Sequence, residues 1–571
     1  MKANRLSCLS LRGVTLSALS ASTFTALCAL AMSRQPLTAD ENEFFMAITR
    51  WAEWRHTIPH PHLYIHWAQL MVAIFGATVE AVRLSVLIPH LLTLPLLIWL
   101  ARLLCGNAAV RTDWPRIAVL AVLLYALNPL SVQNSVLIDI DNGMLTMALT
   151  ALLCLWLALR QRPVSVRIAT LSVAFAICLW IKLPTPPMLA VALMVGEAWR
   201  RNWREAGIAL TCTLLGTALF VASHSVYGAL TGYTLSDALA AFAWRAGNES
   251  TILSQIPSTL VQTVGVLAFW LGLPFVLLTL PVIWNSARRF VQGRVEDEDI
   301  GLLYAAGVLV FYSTMIVPAW GYPRYHTPAL PILTLAVSAW AVKQIGQAGR
   351  EFRAVALAVA TAGALYLALF VGDPLYDIYR ATFETTALSE RLRIGGAAFA
   401  RTALPVVMVI SLSLILTGRL SMTRAGALAG LLAALALGSY LATDLIQVTA
   451  PYSTRYRYTY VYADRARATE AVRAGVPLNG YSLTDKDLLW YADRPGEQVY
   501  PYLGNPDQLK DILRRRRVDV IAWAEKERLK ATALNSDREA LTILERCYRS
   551  EQFGVFTVLT RTSAEPCLGI R

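Results

Sequence analysis

The feature that most limits this chain is the return, about thirteen times, of an apolar run, most of them roughly 17 to 25 residues long, the length a helix needs to cross a bilayer. The runs lie near residues 9–32, 80–104, 115–136, 142–159, 168–181, 186–199, 206–224, 259–284, 301–318, 326–342, 354–371, 403–418 and 425–446. Lipid offers no partner for a peptide group, so each run must close its own hydrogen bonds as a helix. The pattern therefore predicts a polytopic α-helical membrane protein. With 56% of its residues hydrophobic and 16% charged, the chain keeps few charges, and their places carry information. The stretch 168–199 holds Pro184, Pro186 and Pro187, so its two runs could form one hairpin that does not cross fully.

Arginine and lysine set the orientation. Lys2, Arg5 and Arg12 precede the first run, and Arg102, Arg111, Arg116, Arg160, Arg162, Arg167, Arg200, Arg201, Arg204, Arg288, Arg289 and Arg294 follow in alternate loops. Lys343, Arg350, Arg353, Arg419 and Arg424 continue the alternation. The excess of basic residues marks the cytoplasmic face. The net charge of +13 is thus mostly a topology signal and no pointer to nucleic acid. The first run follows basic residues as a signal peptide would, but its length and the lack of a small-residue cleavage site read as a retained span. An inner-membrane protein results, with a cytoplasmic amino terminus and an extracytoplasmic tail.

Two domains are expected: a membrane domain over 1–450, whose outer segment 33–79 carries an acidic motif, and an outer α/β domain over 451–571. In the tail, 507–517 reads as a helix ending in Arg514 to Arg517, and 518–523 and 553–561 read as strands. The arginine run suits a solvated helix end, or a site for anionic headgroups or polysaccharide. Phe44, Phe45, Ile48, Trp51 and Trp54 recur at helical spacing, as in a helix at the interface or packed on the protein's own spans. Six cysteines lie in or beside spans as small apolar residues, whereas Cys547 and Cys567 lie in the tail, where an oxidising compartment would allow them to pair.

On this topology, polar groups of mixed kind gather at the outer face. Asp40, Glu41 and Glu43 leave the first span, and His56, His60, His62 and His66 follow them. Asp139 and Asp141 lie in the next outer turn, Lys182 ends the fifth span, Arg245 lies in an outer segment, and Tyr322, Arg324, Tyr325 and His326 open the tenth span. A carboxylate to accept a proton from a hydroxyl, beside cations to stabilise a departing phosphate, is what transfer from a lipid phosphate requires. Plainer readings stand beside this one. Asp40, Asp139 and Asp141 could cap helices, and Lys182 could reach to the interface. The four histidines lack the helical spacing of a metal set, so interfacial hydrogen bonding is the simpler reading and no cofactor is expected, a divalent metal being the less favoured alternative.

The order of these features resembles the GT-C superfamily of polyprenyl-phosphate-sugar-dependent glycosyltransferases, in its protein O-mannosyltransferase and aminoarabinose transferase branch. The likeness runs through Asp40-Glu41, His60-Pro61-His62-Leu63-Tyr64, Leu70 to Gly76, Arg83, Asn128-Pro129 to Asp141, Lys182, and Arg324-Tyr325 with Pro328 and Pro331. It covers about the first 345 residues, and the thirteen-span plan with an outer α/β tail is similar to that of the aminoarabinose transferases. The resemblance implies a GT-C fold, a polyprenyl-phosphate-sugar donor, and a lipid, glycan or protein acceptor whose hydroxyl attacks with inversion. It implies Asp40 as the general base, with Glu41 in a weaker supporting role. His60, Lys182, Arg245 and Arg324 would meet the donor phosphate, and Asp139, Asp141, His62, Tyr64 and Tyr325 would hold the acceptor or position loops. Two cations usual in the aminoarabinose branch are replaced here: Glu43 stands at the arginine position and His60 at the lysine position, while His62 replaces the second proline. The competing class is a multi-span transporter or flippase, which would place charges near mid-membrane and show two matching halves.

Overall fold

The structure, a computed structural model, describes residues 2–32, 39–54, 56, 58, 60–105, 113–140, 143–239, 267–314, 323–346, 350–372, 388–416, 423–449, 462–485, 488–489, 492, 494–524, 534, 536–554 and 556–562. Two compact units emerge. The first combines Met1–Arg34, Glu43–Ile378 and Arg391–Thr449, and the second combines Gln35–Asn42, Tyr379–Glu390 and Ala450–Arg571.

Among its described residues the first unit is helical. In chain order its elements include α1 (Lys2–Met32), α2 (Ala39–Thr49), α3 (Trp51–Trp54), α4 (Leu63–Phe75), α5 (Val79–Cys105), α6 (Trp114–Ala126), α7 (Pro129–Asn134), α8 (Gly143–Ala158), α9 (Val164–Ile181), α10 (Thr185–Trp199) and α11 (Trp203–Thr231). They continue as α12 (Leu273–Val291), α13 (Asp297–Thr314), a 3₁₀ segment over Pro323–Ala329, α14 (Leu330–Ile345), α15 (Arg350–Tyr366), α16 (Leu388–Leu416) and α17 (Arg424–Thr449). The first four residues of α2, 39–42, fall in the second unit's share of the chain. Among the described residues, eight helices are long and apolar enough to cross a membrane, and the rest of the thirteen expected runs are shorter or lie partly outside the described residues.

One sequence expectation changes here. The run 115–136 is not one helix: α6 stops at Ala126, and the Asn128 side chain accepts from the Leu130 amide to start α7 with Pro129 in its first turn. Proline cannot donate inside a helix but fits its first turn, so Asn128-Pro129 makes a break where hydropathy alone sees continuity. The two runs of 168–199 form two helices, α9 and α10, with Lys182 extended between them (φ −157°, ψ 135°) because Pro184 forbids continuation. Phe44 and Ile48 of α2 are buried, and the Phe44 ring meets Tyr64 edge-on at 5.9 Å. Phe44 and Ile48 of the aromatic stripe thus pack on the protein itself. Glycine permits close helix contact: a Cβ on Gly143 of α8 would lie 2.3 Å from the Val86 carbonyl of α5.

The second unit carries a five-stranded sheet of order β2-β1-β3-β5-β4, formed by β1 (Ser482–Thr484), β2 (Gly496–Gln498), β3 (Val520–Ala524), β4 (Tyr548–Phe553) and β5 (Phe556–Arg561). β1 runs parallel to β2 and β3, and β5 is antiparallel to both β3 and β4. Helices α18 (Tyr462–Gly475), α19 (Tyr500–Leu503), α20 (Pro506–Arg515) and α21 (Arg538–Cys547) accompany it. Side chains alternate across β3: Ile521 and Trp523 join Leu509, Leu513 and Ile543 in one core, while Val520, Ala522 and Ala524 join Ala468 and Val472 in the other. This is the α/β tail that the sequence suggested, with the terminal strand now a hairpin. Cys547 is buried at the end of α21, and Cys567 lies outside the described residues.

Candidate functional site

Helix breaks bring the site of the first unit together. Lys182 occupies the extended step between α9 and α10, Asp139 the turn after α7, and Arg324 and Tyr325 the 3₁₀ segment that precedes α14. Asn134 donates through Nδ2 to Thr327 Oγ1 at 2.7 Å, tying α7 to that segment, and Tyr304 of α13 donates to the Pro328 carbonyl at 3.3 Å.

Four residues singled out from sequence meet here. Arg324 pairs with Asp139 at 3.2 Å, both side chains being largely buried. Lys182 Nζ stands 4.7 Å from the Tyr325 ring centre and 5.4 Å from that of Tyr312. The two phenol rings stack at 5.2 Å with an angle of 6°, and the Arg324 guanidinium lies 5.2 Å from the Tyr325 ring. Thr185, at the start of α10, shares a 2.6 Å hydrogen bond with the Tyr312 hydroxyl. A cation over a desolvated aromatic face gains about 2 kcal/mol without being neutralised by it. The arrangement holds two positive groups and one carboxylate in a nearly water-free setting, where each charge acts strongly on what enters. Tyr312, Thr185, Asn134 and Thr327 were missed from sequence. Tyr312 stands within an apolar run and is paired with Tyr325 only through space.

The histidines assemble elsewhere in the same unit. His62 and His66 both contact the Tyr227 hydroxyl of α11, at 3.0 and 2.9 Å. The Tyr233 hydroxyl donates to the Ile58 carbonyl at 2.7 Å and to the His60 carbonyl at 3.1 Å, which fixes the backbone of the His-Pro-His motif. His224 of α11 stacks on Trp180 at 5.0 Å and lies 6.0 Å from Tyr233. His224 is fully buried in the apolar stretch of α11, a signal the sequence offered and sequence reasoning passed over. Tyr64 is buried, with the Ser85 hydroxyl 3.3 Å from its own. No group of three or more His, Cys, Asp or Glu side chains placed to hold a metal occurs among the described residues.

The acidic pair belongs to the second unit's share of the chain. Asp40 and Glu41 lie in the first turn of α2, where a carboxylate suits the helix dipole. Glu41 is buried, and the side chain of Asp40 lies outside the described residues. Asp141, Arg245 and Tyr322 also lie outside them.

No family model matches the chain, and no curated protein sequence does. Solved structures do. The crystal structure of ArnT from Cupriavidus metallidurans bound to undecaprenyl phosphate superposes with a TM-score of 0.58 at 14% identity, over 98% of this chain and 99% of that one. The apo form of the same protein gives 0.55 at 13% identity over the whole of both chains. At this identity the likeness establishes a common fold over the full length: the chain is a polytopic membrane protein with a carboxy-terminal α/β region, built on the same plan as ArnT.

Proposed function

We propose that the protein is an integral membrane glycosyltransferase that moves a sugar from a polyprenyl-phosphate donor to an extracytoplasmic hydroxyl, with inversion. The observation that carries this reading is the meeting of Lys182, Arg324, Tyr325 and Asp139 at helix breaks. Its weight comes from the fold, which is shared with a protein crystallised with undecaprenyl phosphate.

In the proposed reaction the acceptor oxygen bonds to the anomeric carbon as the carbon–oxygen bond to the lipid phosphate breaks. The hydroxyl proton goes to the Asp40 carboxylate, and the polyprenyl phosphate leaves with the bonding pair. Cations fixed before the reaction stabilise that developing charge at no reorganisation cost. Lys182 and Arg324 take this role, joined by His60 and Arg245. Asp139 orients Arg324, Tyr325 and Tyr64 hold the loops in place, and Asp141, Glu41 and His62 serve acceptor or loop positioning. The acceptor is a lipid, a glycan or a protein. The setting is a bacterial inner membrane with the amino terminus in the cytoplasm and the α/β unit outside, where a Cys547–Cys567 disulfide would form. Serine at Cys547 should then abolish any mobility shift caused by reductant.

Purified protein given a panel of polyprenyl-phosphate sugars with crude envelope acceptors should release polyprenyl phosphate from at least one donor. Release from none would overturn the reading.

A further inference from the structure

Where α10 ends, α11 begins and α12 ends, arginines of two kinds stand side by side. Arg160 and Arg200 bind Asp297, Arg289 binds Asp299, and Arg167 binds Glu205. Arg201, Arg204, Arg288 and Arg294 are exposed instead, and make no ion pair among the described residues. Of the acids in segments 197–205 and 284–299, only Glu296 is exposed. Four cations thus remain uncancelled on a face that the sequence assigns to the cytoplasm.

The backbone that presents them is fixed. Arg201 takes φ 60°, the one left-handed non-glycine among the described residues; its amide donates to the Ala198 carbonyl at 2.8 Å, and the Asn202 amide to the Glu197 carbonyl at 2.9 Å. Trp199 donates through Nε1 to the Phe290 carbonyl at 2.7 Å, and Arg200 through Nε to the Val295 carbonyl at 2.7 Å. These two bonds lay the 199–204 turn against the 290–295 turn. The four arginines therefore share one rim.

Apolar side chains border that rim. Trp199, Trp203, Trp284 and Val291 are each more than half exposed. Trp284, Arg288 and Val291 follow at i, i+4 and i+7, so they lie on one face of α12. Tryptophan favours the depth of lipid headgroups, and arginine lays its stem on apolar surface while its charge reaches the phosphates. A soluble anion would meet the arginines and leave the tryptophans wet. A neutral lipid would cover the tryptophans and leave the charge unanswered. An anionic lipid satisfies both.

We propose that the rim of Arg201, Arg204, Arg288 and Arg294, with Trp199, Trp203 and Trp284, is a docking site for an anionic glycerophospholipid of the cytoplasmic leaflet. The site stands apart from the cation–aromatic cluster at Lys182 and does not depend on the transfer reaction.

The test is retention of radiolabelled phosphatidylglycerol by the full chain in a neutral detergent, with unlabelled phosphatidylglycerol, phosphatidylcholine or inorganic phosphate as competitor. Unlabelled phosphatidylglycerol should displace the label, and the other two should not. Arg201→Gln with Arg204→Gln should weaken retention about thirtyfold, the loss expected for two arginines near an anionic surface. Arg353→Gln with Arg424→Gln removes the same charge from exposed arginines elsewhere on the cytoplasmic side, and should leave retention unchanged. Arg288→Gln with Arg294→Gln should repeat the first loss, and replaces that pair if it fails to fold. Equal loss in the Arg353 and Arg424 variant would overturn the proposal by making net charge the cause. Displacement by phosphatidylcholine or by inorganic phosphate would overturn it as well.

Discussion

Helices α9, α10 and α13 each have one end in an ion-pair knot and the other in the cation–aromatic site, and the two ends treat charge in opposite ways. At the knot, Arg160 binds Asp297 at 2.5 Å and Glu197 at 2.9 Å, Arg200 binds Asp297 at 2.5 Å, and Arg289 grips Asp299 at 2.6 Å. Arg167 closes on Glu205 nearby. These arginines all come from loops that the sequence assigns to the cytoplasm. Each cation there meets carboxylates in fork geometry, which fixes helix ends and leaves little charge to act on a ligand. About 27 Å away along an eighteen-residue helix, Lys182 rests on two phenol rings, and Arg324 shares itself between Asp139 and Tyr325. Aromatic faces hold a cation in place without cancelling it. The same residue types are therefore cancelled as struts at one end and left uncancelled on aromatic faces at the other, and the partner decides which.

Substitutions should separate the two ends. Arg160→Ala leaves Glu197, 1% exposed, short of a partner, and should cost about 3 kcal/mol of stability. Thermal unfolding in detergent would show this, with turnover per folded molecule near that of the parent. Lys182→Met keeps length and removes charge. It should cut transfer about a hundredfold and leave the melting temperature nearly unchanged; a large fall in stability with normal transfer would make Lys182 a strut like Arg160. Asn134→Ala removes the tie to Thr327 and should cost about 1 kcal/mol, together with a few-fold loss of transfer as the 3₁₀ segment loosens.

The second unit supplies the smallest effect. Glu497 accepts from the Tyr481 and Tyr502 hydroxyls, which hold its carboxyl below the usual range. A depressed carboxylate contributes stability above its unfolded pKa and loses it as pH falls through the folded one. Tyr502→Phe should therefore lower stability slightly at neutral pH and narrow the acid-induced loss below the ordinary carboxylate range. The group is well exposed, so solvent screens the effect. An unchanged acid titration would show that the contact carries no energy.

The membrane character of the chain was legible because apolar length is a one-dimensional signal, and so was the special standing of Lys182 and Arg324. Lys182 precedes Leu-Pro and Arg324 follows Pro323, so local sequence alone predicts a helix break at each. What remained hidden is set through space. Tyr312 reads as one more apolar residue of α13 until the Tyr325 ring stacks on it. The bridging role of Tyr227 needs α11 to be laid beside residues 62–66, more than 150 positions earlier in the chain. The break after Ala126 was written in Asn128-Pro129, yet hydropathy outvoted it.

The central claim is that a carboxylate in the first turn of α2 drives transfer from a lipid phosphate. Its most direct test is single-turnover release of polyprenyl phosphate by the parent and by Asp40→Asn in matched nanodiscs, with donor binding measured alongside. The account predicts equal binding and at least a hundredfold slower release by the variant. Release at the parental rate would contradict it.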